Sequence, residues 1–104
     1  MKKILIIDDE ELILFFLKQV LTEEGYHVVT AADGEKGLEL FRAQSADLVI
    51  TDLVMPVKDG LKTIIEIREI DEAIPIVAIS GGGTIAKERY LTVAGCLDNV
   101  KAMA

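Results

Sequence analysis

The sequence predicts an α/β fold in which an open, doubly wound parallel sheet carries helices on both faces. Short apolar runs alternate with segments of helical periodicity along the 104 residues, and successive runs are separated by short spacings. Such alternation is typical of βαβ units, whose strands run parallel. The expected order is βαβαβαβαβ, with five strands and four helices.

The first half of the chain supplies two strands around an amphipathic helix. Residues 4–7 form a continuous β-branched and leucine run, as in parallel strands that are covered on both faces. From Glu10 the period becomes helical, and Gly25 provides the stop. Residues 26–31 are rich in β-formers and predict the second strand. The apolar positions of the helix are Leu12, Ile13, Phe16, Leu17, Val20 and Leu21.

The second half repeats this alternation. The turn at Asp33-Gly34 precedes a short helix with Leu38, Leu40 and Phe41, and residues 48–51 form the third strand. A helix marked by Ile64, Ile65, Ile67 and Ile70 is expected to end near Asp71, before a fourth strand over Ile76–Ile79. A helix over about 85–97 and a short strand over 100–104 complete the prediction.

Polar residues follow three of the predicted strands. Asp8 and Asp9 come after the first, Asp52 after the third and Ser80 after the fourth. In open parallel sheets, ligands bind beyond the carboxyl ends of the strands, where the strand order reverses. We therefore expect these four residues to meet at one edge of the sheet.

The chemistry of this edge indicates a cation and a phosphate. Carboxylates that lie close together repel one another, and hard oxygen donors without histidine or cysteine suit Mg²⁺ or Mn²⁺. Asp52 beside a metal is a competent nucleophile toward phosphorus, and Ser80 is placed to donate its hydroxyl to a phosphoryl oxygen. Structural roles are the alternatives: Asp8 and Asp9 as part of a helix N-cap and first turn, Asp52 and Ser80 as turn residues.

Composition narrows the function classes. A length of 104 residues with 51% hydrophobic content suits one domain. The net charge is −7 without a basic stretch, which argues against direct nucleic-acid binding. The first apolar run is too short for a signal peptide or a membrane span, so we expect a cytoplasmic protein. Cys96, the single cysteine, is expected to be a packed hydrophobe.

Three motifs together suggest a family. They are the Asp8-Asp9 pair, the pattern Asp-x-x-Met-Pro-x-x-Asp-Gly over residues 52–60, and the fourth strand with Ser80 and three following glycines. Through them, nearly the whole chain resembles the receiver domain of bacterial two-component response regulators, of the chemotaxis-regulator kind. The resemblance implies a flavodoxin-like fold with strand order 2-1-3-4-5, and one receiver domain over residues 1–104.

The resemblance also implies roles for particular residues. Asp52 matches the phospho-accepting aspartate, and Asp8 and Asp9 match the acidic pair that binds Mg²⁺ together with Asp52 and the backbone carbonyl of Val54. Ser80 matches the switch hydroxyl. The implied partners are a sensor histidine kinase or phosphotransfer protein as donor, and a downstream output protein or domain that reads the changed surface.

Two departures from the family pattern concern the C-terminal part. From the resemblance we expect the receiver lysine at the end of the fifth strand to fall just beyond Ala104, with Lys101 as the alternative, and we expect the fifth helix to be missing. A face of the sheet that lacks its helix exposes an apolar patch. We therefore expect a truncated receiver, or a chain that forms a dimer or swapped oligomer.

Rival functions stay open. The main prediction is a phosphorelay module that modifies its own aspartate and is not a multi-turnover enzyme. One alternative is a receiver-shaped interaction module that is never phosphorylated. The other is a phosphatase of the haloacid-dehalogenase class, which would place a second aspartate where this chain has Val54.

Overall fold

The computed structural model describes residues 2–52 and 60–79, which form a parallel sheet with helices on both of its faces. The order of the four strands in the sheet is β2-β1-β3-β4, and all three neighbouring pairs are parallel. This confirms the predicted α/β class and the first four positions of the predicted strand order. The elements are β1 (Lys3–Ile7), α1 (Glu11–Glu23), β2 (His27–Ala31), α2 (Gly34–Ala43), β3 (Leu48–Asp52), α3 (Gly60–Ile70) and β4 (Ile76–Ile79).

The strands alternate between two hydrophobic cores, one on each face of the sheet. In β1, Ile4 and Ile6 belong to the core beneath α1, whereas Leu5 and Ile7 belong to the core beneath α2 and α3. Burial on both faces explains why this strand is a continuous apolar run and does not alternate with polar residues. The same arrangement makes all five residues of β3 buried.

Fewer residues of helix α1 are buried than the six apolar positions of its sequence pattern. Its buried residues are Ile13, Leu17 and Leu21, whereas Leu12 is 71% exposed although the sequence pattern grouped it with the packed positions. The predicted stop is confirmed. Gly25 has a φ of +96°, a left-handed conformation that glycine adopts without a Cβ penalty, and its N–H donates to the Thr22 carbonyl at 3.0 Å.

Helix α2 is held close to the sheet. The Asp33 side chain caps its first turn by accepting the Lys36 backbone N–H at 2.7 Å. One turn further, a Cβ on Gly37 would lie 2.4 Å from Cδ1 and 2.7 Å from Cγ1 of Ile7. Glycine at this position therefore lets the helix backbone approach β1 more closely than any other residue would allow.

Several expectations lie outside the described residues: the fifth strand, the helix over 85–97, Cys96 and the position of Lys101. The predicted association through an uncovered face concerns this part of the chain as well and stays a prediction. Within residues 2–52 and 60–79, no helix has the length and apolar content needed to cross a bilayer.

Candidate functional site

The candidate site lies at the carboxyl edge of the sheet, where two central strands end side by side. The pairing of β1 with β3 runs from Ile4 opposite Leu48 to Ile7 opposite Thr51. Because parallel strands in register end at the same level, the residues that follow Ile7 lie next to Asp52, the last residue of β3. The topology thus brings together carboxylates that are more than forty positions apart in the sequence.

Three carboxylates form the site. One oxygen of each of Asp8, Asp9 and Asp52 lies within 4.8 Å of an oxygen of the other two. Asp8 and Asp52 are buried, with 0% and 1% of their surfaces exposed, and Asp9 faces solvent. The structure therefore gathers the three aspartates that the sequence predicted, with two of them inside the protein and one at the opening.

Backbone contacts fix the first of these aspartates. The Asp8 N–H donates to the Ala31 carbonyl of β2 at 3.1 Å, and Asp8 Oδ1 accepts the Glu10 N–H at 2.9 Å. Glu10 occupies the N-cap of α1 and makes no capping hydrogen bond through its side chain. The structural alternative for the acidic run is thus correct in part, because Asp8 orders the turn into α1 with one oxygen while its carboxylate also belongs to the cluster.

Thr51 is a polar residue of this edge that the sequence analysis did not single out. It is fully buried, and its hydroxyl donates to the backbone carbonyl of Asp52 at 3.0 Å. The signal in the sequence was weak: a single hydroxyl directly after the apolar residues 48–50, in a run expected to be buried, where a polar group needs a hydrogen-bond partner.

The donor set of the cluster fits a divalent cation. Two carboxylates 4.8 Å apart or less repel by about 3.5 kcal/mol at an effective dielectric constant near 20. A hard cation offsets this repulsion, and Mg²⁺ in proteins is bound by one or two carboxylates and keeps several waters. An exposed Asp9 beside two buried aspartates leaves one side of the cluster open for such waters or for phosphate oxygens.

Two residues expected at the site lie outside the described part: Ser80, expected from its place after the fourth strand, and Val54, implied by the resemblance. Their positions relative to the aspartates stay predictions. His27, the single histidine of the chain, is exposed at the start of β2.

A sequence model of the response regulator receiver domain matches residues 4–101, nearly the whole chain. Response regulator RR06 of Streptococcus pneumoniae is 42% identical over 80 residues, which are 77% of this chain and 36% of that protein. The alkaline phosphatase synthesis regulatory protein PhoP of Bacillus subtilis is 37% identical over 79 residues, 76% of this chain and 33% of that protein. The chain thus spans about a third of these relatives.

Solved structures share the fold. The chemotaxis protein CheY4 of Vibrio cholerae superposes with a TM-score of 0.76 at 30% identity, covering 86% of this chain and 76% of CheY4. The response regulator TrrA of Thermotoga maritima, solved with Mg²⁺ and BeF, has a TM-score of 0.74 at 42% identity and covers 77% and 70% of the two chains. TrrA was also solved in complex with the histidine kinase ThkA; in that structure the TM-score is 0.73 at 40% identity, with 83% and 74% covered.

The fold, the aspartate cluster and the sequence matches agree. This chain belongs to the response regulator receiver domain family, whose members act in phosphorelay signal transduction.

Proposed function

We propose that Asp52 is the phospho-acceptor of this receiver and that a phosphohistidine on a sensor kinase or phosphotransfer protein is the donor. The supporting observation is the cluster itself: three aspartate oxygens within 4.8 Å at the carboxyl edge of a parallel sheet, with Asp52 buried at the end of its central strand. The solved complex of TrrA with the kinase ThkA supports a kinase as the partner.

The chemistry assigned to the chain is an in-line displacement at phosphorus. An oxygen of Asp52 forms a bond to the phosphorus atom while the bond from phosphorus to the donor imidazole nitrogen breaks, and the imidazole leaves with a proton from water. Asp8, Asp9, Asp52 and the Val54 carbonyl would hold Mg²⁺, which when bound neutralises charge on the phosphoryl oxygens. The structure of TrrA with Mg²⁺ and BeF supports this choice of metal.

Phosphorylation of Asp52 would signal by changing a surface of the receiver. Ser80 is assigned the switch role, in which its hydroxyl moves to donate to a phosphoryl oxygen and changes the surface that an output protein or domain contacts. The chain modifies its own aspartate once for each signalling event, so it is a switch and not a multi-turnover enzyme. The receiver domain is assigned to residues 1–104.

The phosphatase alternative is disfavoured by the sequence of the site. A phosphatase with an aspartate nucleophile needs a general acid two residues later, and Val54 cannot donate a proton. The other alternative is an interaction module that is never phosphorylated. It differs from a receiver in a testable way, because it would take up no phosphate under any condition.

One experiment separates the three. The protein is incubated with acetyl phosphate or phosphoramidate and MgCl₂, and bound phosphate is measured by intact-mass spectrometry. We expect one base-labile phosphoryl group that depends on Mg²⁺ and is lost in Asp52→Asn. Sustained hydrolysis of simple phosphate esters would favour the phosphatase, and a lack of incorporation would favour the unphosphorylated module.

A further inference from the structure

We propose that Thr51 is a positioning residue for Asp52: its buried hydroxyl restrains the Asp52 carbonyl and thereby fixes the end of β3 for metal binding and phosphorylation. The inference rests on the proposed role of Asp52 as phospho-acceptor. It assigns a specific task to a residue that is neither the proposed phospho-acceptor nor one of the proposed metal ligands.

The hydroxyl of Thr51 is not required for packing. Thr51 has no exposed surface and follows the apolar residues of β3, where valine would fill nearly the same volume and favours a strand equally. Placing a hydroxyl there is costly unless it makes a hydrogen bond. Within the described residues, the Thr51 hydroxyl donates to the carbonyl of Asp52, at 3.0 Å.

The hydrogen bond from Thr51 to the Asp52 carbonyl lies at the end of β3, next to the aspartate cluster. Pairing between β1 and β3 extends to Ile7 and Thr51, so Asp52 lies one residue beyond it and keeps a strand partner in β4, Ile79. Asp52 is the last residue of β3, so its carbonyl lies where the strand ends. The Thr51 hydroxyl restrains rotation about the Asp52 Cα–C bond, which sets both the carbonyl and the direction in which the chain leaves the strand.

The geometry of a magnesium site makes such a restraint important. Mg²⁺ requires near-ideal octahedral geometry, with oxygens at about 2.0–2.1 Å, so a small displacement of one ligand lowers its affinity. Asp52 has to meet Asp8 and Asp9 within a cluster that spans 4.8 Å. The fourth proposed ligand is the carbonyl of Val54, two residues after Asp52 in the sequence. The orientation of the Asp52 carbonyl therefore affects the start of the segment that carries it.

A purely structural hydroxyl would behave differently. It would contribute only to the stability of the folded state through its hydrogen bond. Its removal would lower the free energy of unfolding without changing how the folded protein binds Mg²⁺. The two roles therefore differ in a measurable way, because a positioning role changes the affinity of the folded protein for the metal.

The test uses two matched pairs of chains that differ by the hydroxyl. Wild type is compared with Thr51→Val, which keeps the branched shape, and Thr51→Ser is compared with Thr51→Ala. For each protein, the Mg²⁺ dissociation constant is measured by calorimetric titration with MgCl₂, the rate of phosphate incorporation with acetyl phosphate, and the stability by thermal unfolding.

We expect removal of the hydroxyl to weaken Mg²⁺ binding and slow phosphorylation by about three- to tenfold in both pairs. Thr51→Ser is expected to stay within about twofold of wild type, because the donor to the Asp52 carbonyl is kept. If Thr51→Val does not fold, the serine and alanine variants give the comparison.

Two outcomes would overturn the inference. One is wild-type Mg²⁺ affinity and phosphorylation rate in Thr51→Val with only the melting temperature lowered. The other is an equal loss in Thr51→Ser and Thr51→Ala, since the hydroxyl would then be irrelevant. Failure of the proposed function looks different: wild type would take up no phosphate, or Asp52→Asn would take up as much as wild type.

Discussion

Neutralising one aspartate of the cluster is expected to stabilise the protein in the absence of metal. Asp8 and Asp52 are both buried, and their carboxylate oxygens lie within 4.8 Å of each other and of Asp9. At an effective dielectric constant near 20, two carboxylates 4.8 Å apart repel by about 3.5 kcal/mol, and salt weakens the repulsion of the pairs that include the exposed Asp9. We therefore expect Asp52→Asn to raise the free energy of unfolding by about 1–3 kcal/mol in EDTA.

With Mg²⁺ present, we expect wild type to become more stable than Asp52→Asn. A cation that binds the folded state stabilises it, and above its dissociation constant each tenfold rise in Mg²⁺ adds about 1.4 kcal/mol. Wild type is expected to gain stability in this way, whereas Asp52→Asn, with one carboxylate fewer, gains it only at higher Mg²⁺ concentrations. Urea unfolding followed by circular dichroism, in EDTA and over a series of MgCl₂ concentrations, measures both effects.

The matched control is Asp33→Asn. Asp33 is not a member of the three-aspartate cluster and caps α2, a position where asparagine serves about as well as aspartate, so we expect a change within about 0.5 kcal/mol and an unaltered response to Mg²⁺. The reasoning is refuted if Asp52→Asn lowers stability in EDTA, or if Asp33→Asn produces an equal gain.

Further predictions concern the elements that support the site, each measured by urea unfolding. Gly37→Ala is expected to destabilise the protein by about 1–3 kcal/mol, because the new Cβ would meet Ile7, and Ile7→Val should reduce that cost by removing the nearest atom; an unchanged or raised stability of Gly37→Ala would contradict the close contact. Asp33→Ala removes the N-cap of α2 and is expected to cost about 1 kcal/mol, with Asp33→Asn again as control. Arg68→Ala is expected to cost about 1–2 kcal/mol, because one guanidinium nitrogen of Arg68, Nη1, donates to the carbonyls of Glu72 and Ile74 before β4; an unchanged stability would contradict this role.

The sequence predicted most of the fold because burial on both faces leaves a strong pattern. The continuous apolar runs of β1 and β3 exclude strands that lie at the surface. The aspartates that follow these runs, Asp8 and Asp52, indicated the carboxyl edge of the sheet. Bringing Asp8 and Asp52 together required only the rule that parallel strands end at one edge. The three-aspartate cluster was therefore predictable before any coordinates, and the structure confirms it.

Other features depend on tertiary contacts that leave a weak trace in the sequence. Periodicity alone did not predict the exposure of Leu12, because a helical repeat marks an apolar face without showing which residues at its margin contact the sheet. Gly37 carries no pattern of its own, since its importance comes from Ile7 in another element. Thr51 was passed over because threonine in a strand is ordinary, and only its complete burial and its bond to Asp52 set it apart.

The central claim is that Asp52 receives the phosphoryl group, and borohydride trapping tests it most directly. The protein is phosphorylated with acetyl phosphate and MgCl₂, reduced with sodium borohydride, which converts an aspartyl phosphate to homoserine, digested and sequenced by mass spectrometry. We predict homoserine at position 52 and at no other aspartate, with none formed in EDTA. Homoserine at Asp8 or Asp9, or an unmodified Asp52 in a protein that carries phosphate, would contradict the account.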